Sequence, residues 1–94
     1  MTRRDIIDRL RAGDVLVHDG ATGTELEARG FECDSGAWSA TANLEAPDAL
    51  RAIHEDYLRA GADIITANNY CTGPSFLDRT GKGARWREYS QAGL

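Results

Sequence analysis

Apolar residues recur at spacings of three and four through Ile6, Ile7 and Leu10, the pattern of one helical face. Thr2 can cap this helix, with Asp5 as its capping-box partner. Gly13 suits the left-handed position that ends it. Val15-Leu16-Val17-His18 then forms a β-branched run without polar alternation. Such a run suits a strand buried on both faces, as in a parallel sheet. Asp19-Gly20-Ala21-Thr22-Gly23-Thr24 marks a tight turn, and Glu25 to Arg29 reads as a short helix stopped by Gly30. From Phe31 to Glu45 the periodicity is lost, which predicts a long loop carrying Trp38 and Ser39. The strongest helix runs from Pro47 to Ala60 and ends at Gly61, with Leu50, Ile53, Tyr57 and Leu58 on its apolar face. Asp63-Ile64-Ile65-Thr66-Ala67 is a second short strand, and Asn68 to Pro74 open another loop. A last helix begins near Lys82 to Arg85 and places Trp86 and Tyr89 on one face. Two apolar strands separated by helices predict parallel β/α units with a right-handed crossover.

In such architectures reactive groups gather at the carboxyl ends of the strands. Here those ends hold Asp19-Gly20 and the cluster Thr66, Asn68, Asn69 and Tyr70. Asp19 places a charge at the mouth of an apolar strand, where it suits a ligand ammonium or orients another polar group. The Gly20 to Thr24 turn can bring backbone N–H groups close to an anion. Together they fit an amino-acid-like ligand, although Asp-Gly after a strand also serves as a plain turn. The dinucleotide fingerprint fails because Thr22 stands where it needs glycine, and Gly81-Lys82-Gly83 lacks the rest of a phosphate-binding loop. His18 and His54 read as structural, with His54 packed beside Leu50, Ile53 and Leu58. Trp38 reads equally as a lid over a pocket or a plug.

Composition narrows the partners. The chain has 94 residues with 15 acids against 11 bases, so no basic stripe remains to neutralise nucleic-acid phosphates. No signal-peptide core is present, and the longest apolar run, Val15 to Val17, is far short of the roughly 20 residues of a membrane span. Cys33 and Cys71 make neither a disulfide framework nor a metal knuckle, which fits a cytoplasmic protein with free thiols. No cationic neighbour argues for a reactive thiolate at either.

Asp19-Gly20-Ala21-Thr22-Gly23-Thr24-Glu25-Leu26, Trp38-Ser39, Pro47, His54, Tyr57, and Ala60-Gly61-Ala62-Asp63-Ile64-Ile65-Thr66 through Tyr70 resemble the homocysteine S-methyltransferase family. The resemblance runs from about Val15 to about Tyr89. It implies a (β/α)8 TIM barrel whose catalytic zinc holds the homocysteine thiolate for attack on an activated methyl group, giving methionine. Family methyl donors include betaine, S-methylmethionine, S-adenosylmethionine and folate- or cobalamin-linked methyl groups. Asp19 and Gly20 then resemble the group holding the amino-acid end of homocysteine. Glu25 matches a common family residue, and Trp38 resembles the loop aromatic near the donor side. Thr66, Asn68, Asn69 and Tyr70 look like the second-strand cluster lining the site. Ala67 and Asn69 stand where many members carry threonine. The family's zinc ligands are cysteines near the ends of the sixth and eighth strands, and neither Cys33 nor Cys71 matches them.

A whole barrel takes about 200 residues or more, so residues 1–94 are expected to be its N-terminal fragment. That fragment holds about two β/α units and stops after the second strand and the start of the next helix. It is expected to bind homocysteine and a methyl donor only in part, to lack methyl transfer, and to associate with the rest of a barrel or with itself through open sheet edges. Two other readings stand beside this one: a non-catalytic module or relic completing a partner barrel, and a different β/α-barrel enzyme.

Overall fold

The computed structural model describes residues 3–33 and 36–94. The capping role expected of Thr2 lies outside them. The first helix, α1, spans Arg3–Arg11, with Asp5 in its first turn and Arg9 and Arg11 in its last, a charge order that complements the helix dipole. Gly13 takes φ 84° and reverses the chain. None of the α1 side chains is buried. Polar contacts tether the helix instead: Arg9 reaches Asp14 at 2.7 Å and Asp63 at 3.3 Å. Asp63 also accepts the Val17 N–H at 3.1 Å.

The two expected strands are shorter than the apolar runs that predict them. Among the described residues they meet at one parallel bridge, His18 with Ile64. The Asp19 N–H donates to the Ile64 carbonyl at 3.0 Å, and the Ile64 N–H donates to the Val17 carbonyl at 3.2 Å. A lone pair of parallel segments is marginal. Their flank stays open, with Val15 78% and Val17 54% exposed.

Helix α2 spans Gly23–Ala28, starting two residues before the expected Glu25. The region read as continuous loop contains a four-residue helix, α3, Ala42–Glu45. It forms because Ala42 and Asn43 are fully buried between α4 (Pro47–Arg59) and the C-terminal helix. Helix α4 opens on Pro47, and Gly61 follows its end at φ 109°. Leu50 and Ile53 are buried, but Leu58 is 52% exposed. It lies five residues from Ile53, about 140° around the helix, and so leaves the face assigned to it. A second unexpected helix, α5, spans Pro74–Asp78 and buries Leu77. A 3-10 turn at Gly83–Arg85 leads into α6, Trp86–Ala92.

Among the described residues two small apolar clusters result. Leu26, Ala42 and Ile53 form one, with Phe31 and Tyr57 against it. Ala37, Ala40, Cys71, Leu77 and Tyr89 form the other, with Leu44, Phe76 and Trp86 against it. Tyr89 and Trp86 thus share the core face expected of them. The molecule measures 47 × 25 × 18 Å with a radius of gyration of 14.9 Å, against about 12 Å for a compact domain of this length. The outlying α1 and the thin paired segments fit that elongation.

Candidate functional site

The carboxyl ends of the two paired segments are tied together by side chains. Asp19 is 5% exposed. One of its oxygens accepts the Thr66 backbone N–H at 3.0 Å and the other the Thr66 hydroxyl at 2.9 Å. A buried carboxylate needs such donors to offset lost hydration. Gly20 follows in the open. A Cβ there would sit 3.1 Å from the Tyr57 hydroxyl, which itself donates to the Ala21 carbonyl at 2.7 Å. Helix α4 therefore pins the turn after the first segment, and a side chain at position 20 would crowd that pin.

The end of the second segment is held by amides. Asn43 is 1% exposed. Its Nδ2 faces three acceptors: the Asn68 carbonyl at 3.0 Å, Asn69 Oδ1 at 3.1 Å and the Tyr89 carbonyl at 2.9 Å. Asn68 Nδ2 donates back to Asn43 Oδ1 at 2.9 Å, and Asn69 Nδ2 donates to the Ser90 carbonyl at 2.9 Å. The network joins α3, the segment end and α6. Gly93 closes against it, where an added Cβ would overlap Asn69 Oδ1 and Asn43 Nδ2.

Trp38 and Tyr70 meet on the outside. Their rings stack with centroids 6.2 Å apart and planes 21° apart, and Tyr70 continues to Phe76 at 6.0 Å. Trp38 is 60% exposed and has φ 52°, a left-handed backbone that is uncommon for a bulky residue.

Of the expected site residues, the structure joins Asp19 with Thr66, Asn68 with Asn69 through Asn43, and Trp38 with Tyr70. Glu25 stands apart. It pairs with Arg29 at 3.4 Å, and Arg29 pairs with Asp56 at 2.7 Å. These residues, with Ile53, Tyr57 and Ala60, line a groove of about 200 Å³ between α2 and α4. His18 is exposed, its Nδ1 2.6 Å from the Asp19 carbonyl oxygen. His54 is half-buried beside Pro47 and Leu50, and its Nδ1 has no hydrogen-bond partner among the described residues. Asn43 was not a sequence candidate. Its only signal was an amide set within the small-residue stretch Ala40-Thr41-Ala42 and Leu44.

The cysteines do not form a metal site. Cys71 lies in the apolar cluster, and burial pushes its thiol pKa up. Burial, then the nearby Glu27, raises that of Cys33, whose Sγ lies 3.7 Å from the Gly23 carbonyl. Among the described residues no group of three His, Cys, Asp or Glu could hold a metal ion. The described residues therefore do not fit a zinc centre. No helix among them is long and apolar enough to cross a membrane.

The described residues thus place a buried acid and an amide cluster at the ends of two parallel segments, within a mostly helical chain. The sequence comparisons give the class. The homocysteine S-methyltransferase family model matches residues 16–94, and the chain belongs to that family. Homocysteine S-methyltransferase 4 of Zea mays is 48% identical over 59 residues, which are 63% of this chain and 17% of that protein. Homocysteine S-methyltransferase of Escherichia coli (strain K12) is 46% identical over 67 residues, 70% of this chain and 22% of that protein. Betaine--homocysteine S-methyltransferase 1 of Rattus norvegicus is 34% identical over 79 residues, 84% of this chain and 19% of that protein. The chain thus spans about a fifth of the length of these curated relatives. No solved structure matches it significantly.

Proposed function

We propose that the chain is the N-terminal part of a cytoplasmic, barrel-forming homocysteine S-methyltransferase and supplies the amino-acid end of its substrate site. The observation that carries this reading is the buried Asp19 carboxylate at a paired segment end, in a chain that the family model matches from residue 16 onward. In the complete enzyme the homocysteine sulfur attacks the methyl carbon of a donor. The carbon's bond to the donor breaks, its electron pair leaves with the donor, and the thiol proton is lost, giving methionine. Within this chain Asp19 holds the substrate ammonium, while backbone N–H groups of the Gly20 to Thr24 turn face its carboxylate. Thr66 fixes the Asp19 carboxylate so that the charge is aimed before the substrate arrives. The zinc implied by the family resemblance finds no donor set among the described residues, so no step here runs through it.

Calorimetric titration tests this. The purified chain is expected to take up L-homocysteine and to discriminate against 4-mercaptobutyrate, which keeps the thiol and carboxylate but lacks the ammonium. The discrimination should be about tenfold or more and should vanish in Asp19→Ala. Equal affinity for the two ligands would remove Asp19 from the site.

A further inference from the structure

Asn68 sits where a substrate contact is expected, yet its side-chain donors are already engaged. The Ser39 hydroxyl donates to Asn68 Oδ1 at 2.9 Å, and Asn68 Nδ2 donates to the Ser39 carbonyl at 2.8 Å. The second Nδ2 hydrogen goes to Asn43 Oδ1 at 2.9 Å. A backbone carbonyl can only accept, so the Ser39 contact fixes which end of the amide is nitrogen. Both N–H donors are therefore committed, and none remains for a ligand.

The partners of Asn68 tell what it does. Ser39 directly follows Trp38, and Asn68 lies two residues before Tyr70. Core burial does not fix the two rings, because Trp38 is 60% and Tyr70 80% exposed. The left-handed backbone of Trp38 persists only if its surroundings over-determine it. On one side Ala37 is fully buried, and on the other Ser39 is bonded twice to Asn68.

We propose that Asn68 is a positioning residue: it latches the Trp38 loop to the end of the second segment and so sets the Trp38–Tyr70 stack at the mouth of the site. Its bearing on catalysis rests on the homocysteine reading above; the latch itself does not. A ring pair held at fixed spacing loses less freedom when a ligand settles on it.

Trp86→Phe leaves Trp38 as the single tryptophan and provides the parent for a spectroscopic test. Asn68→Ala in that parent is expected to raise acrylamide quenching of Trp38 about twofold as the loop gains freedom. It should also reduce the near-ultraviolet dichroism of the stacked rings, with helix content unchanged. Ser39→Ala keeps the Asn68 bond to the Ser39 carbonyl, so it shifts both signals the same way by less. Trp38 signals equal to the parent in Asn68→Ala overturn the latch, as does a larger effect from Ser39→Ala. If Asn68→Ala fails to fold, Ser39→Ala decides: a shift supports the latch and none overturns it. Calorimetry adds a second arm, in which Asn68→Ala should keep homocysteine affinity within about threefold. A loss of about tenfold or more with unmoved Trp38 signals makes Asn68 a substrate contact and overturns the proposal. If the parent itself takes up no homocysteine, the functional reading fails and the spectroscopic arm still decides the latch.

Discussion

The two ends of the paired segments are built in opposite ways. At the carboxyl end, Asp19, Thr66, Asn43, Asn68 and Asn69 share a dense set of hydrogen bonds, and Asp19 and Asn43 are almost wholly buried. At the amino end, Val15, Val17, Ile7 and Leu10 are exposed, and α1 is held mainly through Arg9 and Asp63. The apolar run that should be the core of a sheet is open, while the polar cluster that should meet a ligand is packed. Polar satisfaction needs only a few matched donors and acceptors, which α3, α6 and the two segment ends supply among themselves. Covering a strand on both faces needs neighbours on both faces.

Substitutions can break this contrast from its strong side first. Asn43→Leu fills the same space but strands the Asn68 and Tyr89 carbonyls and one of the two Asn68 Nδ2 hydrogens. It is expected to destabilise by about 3 kcal/mol, the scale of several unsatisfied buried polar groups, read as a lower urea midpoint. Asp19→Ala removes two hydrogen bonds between Thr66 and a buried carboxylate and should cost about 2 kcal/mol in the same assay. Gly93→Ala forces a methyl group against the amides of Asn69 and Asn43. Overpacking of this kind costs about 1.5 kcal/mol, and thermal unfolding would show it.

The weak side predicts small stability changes and a visible change in association. Val17→Thr keeps the β-branched shape and should alter stability by less than about 0.5 kcal/mol. It should nevertheless lower the self-associated fraction in sedimentation, because it removes apolar surface from an unpaired edge. An unchanged distribution would mean that this flank does not drive association. Asp63 supplies the gentlest probe. The Val17 N–H, and then Arg9, hold its carboxyl below the usual carboxylate range. The unfolded chain therefore binds a proton more readily than the folded one. Its contribution is full above the unfolded value near about 3.9 and is lost as pH falls through the lowered folded value. Asp63→Asn should flatten the acid limb of stability against pH, and an acid limb identical to that of the wild type would contradict the assignment.

Much of the helical order is legible in the residues. Gly13 and Gly61 end helices because the left-handed backbone there suits only glycine without strain, and Pro47 opens α4 because its missing N–H is not needed at that position. Helices α3 and α5 escaped because four or five residues make little more than one turn and show no periodicity. Leu58 departs from the predicted apolar face because it stands about 140° around the helix from Ile53 and so turns to solvent. Asp19 and Thr66 stood out as polar residues ending apolar runs. Asn43 did not, since its hydrogen bonds reach partners 25 to 46 residues away and no local pattern records them. The family match extends over residues 16–94, yet the roles of Glu25 and Asn68 depend on contacts that only the fold displays.

Asn43 also has a consequence for the order of folding. Its amide is satisfied only when three separate stretches of chain arrive together: the end of the second segment, the Tyr89 turn of α6 and α3 itself. Until then it is a hydrated polar group with no reason to leave water. Closing loops of 25 and 46 residues differs by only about 0.5 kcal/mol in entropy, so neither closure is strongly favoured over the other. The amide thus acts as a coincidence detector late in assembly. In native-state hydrogen exchange, amide protons of α3 and α6 should open together as one cooperative unit, while those of α1 exchange earlier and alone.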